Sequence, residues 1–321
     1  MSEFAVRTKG LTMRFGRTVA VSGLDLSVPR GALFGLIGPN GAGKTTTLRM
    51  LAGLIEPSAG TIWINGSLEV GSGRAQQDVR RQIGYMPDFF GVYEDMRSWE
   101  YLDFFARCYG IGPRRRARVV DELLELVDLG DKRDSDVHTL SRGMKQRLCL
   151  AHALVHDPAI LLLDEPASGL DPRARMEIRE LLRELSTMGK TILISSHILS
   201  ELEQMCDQVA IMERGRLVAS GPVEEIEGSA GARQSLRLKV TSDVDDAMAL
   251  LEAIPEVSGV QRGAHGEGDE GWLTFEFDGD EGARSELLVR LMASGVRVSS
   301  LTVRQRDLEH LFMQLTKGDV A

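Results

Sequence analysis

Residues 38 to 46 read Gly38-Pro39-Asn40-Gly41-Ala42-Gly43-Lys44-Thr45-Thr46, the spacing G-x-x-x-x-G-K-[ST]. Glycines in such a run let successive backbone N–H groups curl around phosphate oxygens. A helix starting at the lysine adds free donors and the positive end of its dipole. Lys44 is then placed to reach β- and γ-phosphates, and the Thr45 hydroxyl to ligate Mg²⁺. The bland reading, a glycine-rich connector, requires neither the Lys-Thr pair nor a strand before and a helix after.

Two acids follow an apolar run at Leu161-Leu162-Leu163-Asp164-Glu165-Pro166. Asp164 is suited to hold Mg²⁺, mainly through water, and Glu165 to polarise an attacking water as general base. A strand ending in acids is common by itself. Downstream of a phosphate loop it becomes the second half of a hydrolytic site. Between the two stands Leu140-Ser141-Arg142-Gly143-Met144-Lys145-Gln146-Arg147. This is another helix start, in which Ser141 can cap and Gly143 permits close approach.

The elements that must position these residues are legible around them. Ala32 to Ile37 is a near-continuous apolar strand leading into the loop, and a helical run to Leu54 leaves it, a strand-loop-helix unit with a buried parallel strand. Half-buried strands are expected at Phe4-Arg7, Val19-Val21 and Leu24-Val28. Residues 98 to 156 read as three helices, striped by Tyr101, Leu102, Phe104, Phe105 and Tyr109, then by Leu123, Leu124, Leu126 and Val127. Short buried strands are expected at Ile160-Leu163 and Thr191-Ile194, with a helix between them from about Pro172 to Met188.

Composition shifts at 227–232, Glu-Gly-Ser-Ala-Gly-Ala, as in a flexible linker. Beyond it, strands at Leu236-Val240, Val257-Gln261, Trp272-Phe277 and Val296-Val303 alternate with helices at Val244-Ile254 and Glu281-Met292. The order β-α-β-β-α-β predicts a small ferredoxin-like α+β domain over 233–321. The Gly- and acid-rich stretch 263–271 reads as a mobile loop, and a last helix is expected at Asp307-Leu315.

With these motifs in place the chain resembles the ATP-binding-cassette (ABC) ATPases over residues 1 to about 222. Leu140 to Arg147 is similar to their L-S-G-G-Q signature, in the L-S-x-G-M form often seen in exporters. The resemblance implies an α/β phosphate-loop core with antiparallel β and helical subdomains over 1–226, the helical one at about 89–156. It implies that Ser141, Arg142, Gly143 and Met144 contact the nucleotide held by the opposite subunit. Ser168-Gly169-Leu170-Asp171 matches the loop that crosses the dimer interface, and His197 the switch histidine at the γ-phosphate. Phe15 matches the aromatic that stacks on adenine, with an ordinary core Phe as the alternative. The family usually has Gln after Gly84-Tyr85-Met86-Pro87, where this chain has Asp88. Asp88 is expected to reach the metal through one of its waters, or else to cap the turn after Pro87 and face a membrane partner. Asp307 to Thr316 resembles the ending of single-cassette ATPases that serve exporters of drugs, lipids or polysaccharides, or is only a helix packing on its own domain.

The resemblance implies an ATPase that uses Mg²⁺ and closes as a dimer of two copies, or of one copy and a homologous cassette. Closure would pull on polytopic permease subunits through the segment near Phe89 to Trp99, with the chain peripheral on the cytoplasmic face of the membrane. A regulatory or maturation ATPase of the same type is the alternative. The bulk numbers agree. The length of 321 residues suggests two domains, and a formal net charge of -9 gives no electrostatic reason to expect nucleic acid. No apolar run approaches the ~18 residues that span a bilayer, and the N-terminus lacks a signal-peptide pattern. The guanine-reading Asn-Lys-x-Asp of GTPases, the coiled-coil insertion of DNA-repair ATPases and the second cassette of translation-factor ATPases are all missing from the sequence. Cys108, Cys149 and Cys206 match no metal spacing and read as buried free thiols.

Overall fold

Apolar-polar alternation from Phe4 onward forms one long strand, β1 (Phe4–Phe15), rather than the short one expected. It pairs antiparallel with β2 (Thr18–Leu24), β3 (Ser27–Pro29) and β5 (Ala59–Ile64). With β6 (Leu68–Glu69) they make a sheet of order β2-β1-β5-β6, β3 lying on β1. The computed structural model describes residues 3–66, 68–69, 74–89, 91, 95–223, 225–226, 233–263 and 271–304.

A second sheet is built on β4 (Leu33–Ile37), β7 (Ile83–Met86), β8 (Ile160–Asp164), β9 (Thr191–Ser196), β10 (Gln208–Glu213) and β11 (Arg216–Pro222), in the order β11-β10-β4-β9-β8-β7. Every residue of β4, β8 and β9 is buried, which is why these strands read as unbroken apolar runs. All neighbours from β10 to β7 are parallel, so their C-terminal ends share one edge. Helix α1 (Lys44–Leu51) follows β4 and ends before the expected Leu54. Helices α2 (Arg74–Gln82), α3 (Ser98–Cys108), α4 (Pro113–Leu126), α5 (Arg142–Leu154), α6 (Pro172–Thr187) and α7 (Leu199–Glu203) complete this part. Strands β5, β6, β7, β10 and β11 and helices α2 and α7 are not among the elements expected from the sequence pattern.

Of the helical stripe, Tyr101, Leu102, Leu123, Leu124 and Val127 are buried as expected, whereas Phe104 and Tyr109 are exposed. Part of the aromatic surface packs on histidines of α5 and the turn after it. Phe105 stacks on His152 with ring centroids 3.7 Å apart, and Tyr109 on His156 at 4.0 Å. His156 Nε2 lies 3.0 Å from the Ile83 carbonyl, tying the turn after α5 to the start of β7. Burial pushes the His152 imidazole down to about 4, and the neighbouring His156 charge acts in the same direction. Cys149 and Cys206 are buried, but Cys108 is exposed: it is the last residue of α3 and falls on the outer side of the helix end, which corrects the reading of three buried thiols.

The chain divides into two compact units, Met1–Val223 and Glu224–Ala321. The second contains β12 (Arg233–Val240), α8 (Val244–Glu252), β13 (Val257–Arg262), β14 (Trp272–Asp278), α9 (Glu281–Ala293) and β15 (Val298–Arg304). Its sheet is antiparallel, of order β13-β14-β12-β15, with its own core around Leu236, Leu238, Phe275, Phe277, Leu287 and Leu291. Asp243 and Asp280 cap its helices. The 227–232 linker, residues 264–270 of the acidic loop, the Asp307–Leu315 helix and part of the Phe89–Trp99 segment lie outside the described residues.

Candidate functional site

The parallel sheet decides where the chemistry gathers. Side chains leaving the C-terminal ends of β4, β9, β8 and β7 meet over one edge, where ligands of open α/β sheets bind. Strand β4 delivers the loop 38–43, β8 delivers Asp164 and Glu165, β9 delivers Ser195 and His197, and β7 delivers Asp88. An open cleft of about 510 Å³ lies there. Phe15, residues 39–46, Asp88, Glu165, Ser168 and His197 line it, with Thr18, Val19 and Ala20 from β2.

Gly43 initiates α1 with φ +101, and a Cβ there would fall 2.6 Å from the Ala20 carbonyl oxygen, so the loop admits no side chain at this point. The Lys44 ammonium is buried. It donates to the Gly38 carbonyl at 2.6 Å and the Pro39 carbonyl at 3.3 Å, and lies 3.4 Å from Glu165 Oε1. The other Glu165 oxygen, Oε2, is 2.8 Å from His197 Nδ1. Glu165 therefore bridges a cation and an imidazole while facing the cleft. Its φ is +51, an uncommon conformation for a non-glycine residue. Asp164, 1 % exposed, accepts from Thr45 Oγ1 at 3.1 Å and from Ser195 Oγ at 2.6 Å, both through Oδ1. Its Oδ2 is buried with no hydrogen-bond partner among the described residues. Phe15 is 52 % exposed at the end of β1, so it is no core residue. Asp88 is exposed. Below it burial pushes the Tyr85 phenol up, the charges of Asp164 and Asp88 add to this, and Arg49 opposes it.

Ser141, Arg142, Gly143 and Met144 do not line this cleft. Ser141 caps α5, its Oγ accepting from the Met144 N–H at 3.3 Å. Gly143 is packed closely: a Cβ there would be 3.3 Å from Ala174 Cβ. Arg142 donates to the Ser168 carbonyl at 3.1 Å and lays its guanidinium against Gly169, and buried Gln146 donates to the Pro166 carbonyl. The start of α5 thus grips the 166–169 segment of its own chain. Leu170 is buried, and Asp171 caps α6 by accepting from the Ala174 N–H at 2.9 Å. Ser195 was not singled out from sequence. A hydroxyl two residues before His197, directly after the apolar run Ile192-Leu193-Ile194, was the available signal.

A phosphate-loop α/β core with a lysine, a buried aspartate and a bridging glutamate at one sheet edge defines a nucleotide-hydrolase class. The model of the ABC transporter family matches residues 21–168. The chain is 34% identical over 320 residues to the daunorubicin resistance ATP-binding protein DrrA3 of Streptomyces coeruleorubidus, covering 99% of this chain and 98% of that protein. It is 44% identical over 232 residues to the Nod factor export ATP-binding protein I of Burkholderia orbicola, covering 72% and 75%. A solved structure of an ATP binding subunit of an ABC transporter superposes with a TM-score of 0.62 at 33% identity, covering 70% of this chain and 93% of that one. The chain belongs to the ATP-binding subunits of ABC transporters, and its activity is the ATP hydrolysis that powers a membrane transporter.

Proposed function

We propose that the cleft binds Mg·ATP with the adenine against Phe15 and the phosphates within residues 38–46, and that the transporter served is an exporter. The observation that carries the site assignment is Glu165 held between Lys44 and His197. Lys44 meets the β- and γ-phosphates, Glu165 takes the proton of the attacking water, and His197 orients Glu165 and the γ-phosphate. The unpartnered Oδ2 of Asp164 and the adjacent Thr45 hydroxyl are hard oxygen donors that fit Mg²⁺. Bound there, the ion would neutralise charge on the β- and γ-phosphate oxygens. Asp88, exposed at the cleft, would act on the ion through water.

The signature residues Ser141, Arg142, Gly143 and Met144 lie outside their own chain's cleft, which supports their serving the cleft of a second copy or of a homologous cassette. Residues 168–171 then cross that interface, and closure around two nucleotides is the stroke delivered to polytopic permease subunits. Residues 1–226 form the ATPase domain, 227–232 a linker, and 233–321 an accessory domain whose strand order supports a ferredoxin-like fold. Among the described residues no helix is long and apolar enough to cross a membrane, so attachment to the cytoplasmic face is assigned to the permease. Export is supported by the names of the relatives in daunorubicin resistance and Nod factor export. The test is Glu165→Gln: ATP turnover should fall by about a hundredfold or more while ATP binding persists. Turnover at the wild-type rate would remove Glu165 from its role.

A further inference from the structure

Asp164 and Glu165 do very different work, yet one hydroxyl holds the carboxylate of the first and the backbone N–H of the second. Strands β8 and β9 run parallel in a register that sets Asp164 beside Ser195. Ser195 is fully buried. Its hydroxyl has one proton to give, and gives it to Asp164 Oδ1 at 2.6 Å. A lone pair of the same oxygen accepts the Glu165 N–H, 3.1 Å away, and the Ser195 carbonyl lies 3.2 Å from that N–H.

Two consequences follow from this geometry. With Ser195 and Thr45 both on Oδ1, the Asp164 carboxylate is fixed in rotation and Oδ2 is the oxygen left to face a cation. The Glu165 backbone, held at φ +51, is anchored by the same hydroxyl, and this sets where its carboxylate can meet His197. The neighbouring Ser196 points elsewhere: its Oγ accepts from the Ile198 N–H at 3.0 Å and touches neither acid. Alternation along β9 makes the two serines unequal.

We propose that Ser195 is a positioning residue for hydrolysis, its one hydroxyl orienting Asp164 toward Mg²⁺ and Glu165 toward the attacking water. This rests on the reading of Asp164 and Glu165 given above. Without the hydroxyl Asp164 can exchange its oxygens and Glu165 loses a hydrogen bond. Removing a hydrogen bond to a charged group in a buried site corresponds to roughly ten- to hundredfold in rate.

The experiment compares Ser195→Ala, Ser195→Thr, Ser195→Val and Ser196→Ala in the full chain, with Asp164→Asn as reference. Thr and Val have nearly the same shape and differ in the hydroxyl, so any steric penalty cancels between them. Three readouts are taken: kcat, the Mg²⁺ concentration giving half-maximal ATPase rate, and the affinity for trinitrophenyl-ATP with Mg²⁺ and with EDTA. Ser195→Ala and Ser195→Val should lose about ten- to hundredfold in kcat relative to wild type and Ser195→Thr respectively. Their Mg²⁺ requirement should rise several-fold, and affinity in EDTA should stay at the wild-type value. Ser196→Ala should behave as wild type. The proposal is overturned if Val matches Thr, if affinity falls equally in EDTA, or if Ser196→Ala reproduces the loss. Near-normal turnover of Asp164→Asn would instead overturn the reading of the site itself.

Discussion

The imidazole of His152 makes stability of the first unit depend on pH in a way that can be worked through. His152 is pressed between Phe105 and Tyr101, with ring centroids 3.7 and 5.7 Å away, and burial holds its folded-state value at about 4. In the unfolded chain the ordinary value of about 6.5 returns. Above that pH both states are neutral and nothing is lost. As pH falls from about 6.5 to about 4 the unfolded chain takes up a proton that the folded one refuses, so stability declines. Between about pH 7 and about pH 5 the loss from this group alone is about 2 kcal/mol. His152→Leu removes the proton site while keeping an apolar side chain of similar bulk. Urea unfolding followed through Trp63 and Trp99, in a Trp272→Phe background that silences the second unit, measures the difference. The wild-type transition should weaken by about 2 kcal/mol more than that of His152→Leu over this range. Equal pH dependence in the two proteins would refute the assignment.

Other outcomes follow from the site. Lys44→Ala removes the buried ammonium that donates to Gly38 and Pro39, and should cut ATP turnover by about a hundredfold or more. A steady-state assay of the purified variant checks it. Asp88→Ala should raise the Mg²⁺ concentration for half-maximal rate by a few-fold to about tenfold. A Mg²⁺ titration identical to wild type would leave Asp88 as a turn residue. A chain of residues 1–228 should keep nucleotide binding, because every residue lining the cleft lies in the first unit. Complete loss of binding in that folded fragment would show that the second unit completes the site.

That residues 38–46, Asp164, Glu165 and His197 belong to one group was legible because they sit where fully buried strands end, and such strands announce themselves as apolar runs. The continuity of β1 was not, since pairing with three different strands holds together a segment whose local pattern is broken around Gly10. The βαββαβ order of the second unit was likewise legible, but not which strands are neighbours, because pairing is a long-range choice. Cys108 misled because a helix end can turn outward within an apolar context. Ser195 stayed hidden because its importance is a matter of register across two strands, which no spacing along the chain displays.

Two copies of this chain are proposed to close on ATP, each supplying the signature residues that lie outside the other's own cleft. Glu165→Gln should trap that closed state, since nucleotide binds and is not consumed. Static light scattering of this variant tests it directly. With saturating Mg·ATP the mass should double relative to the same sample in EDTA. A mass that stays at one chain, with bound nucleotide verified in the same sample, would contradict the account.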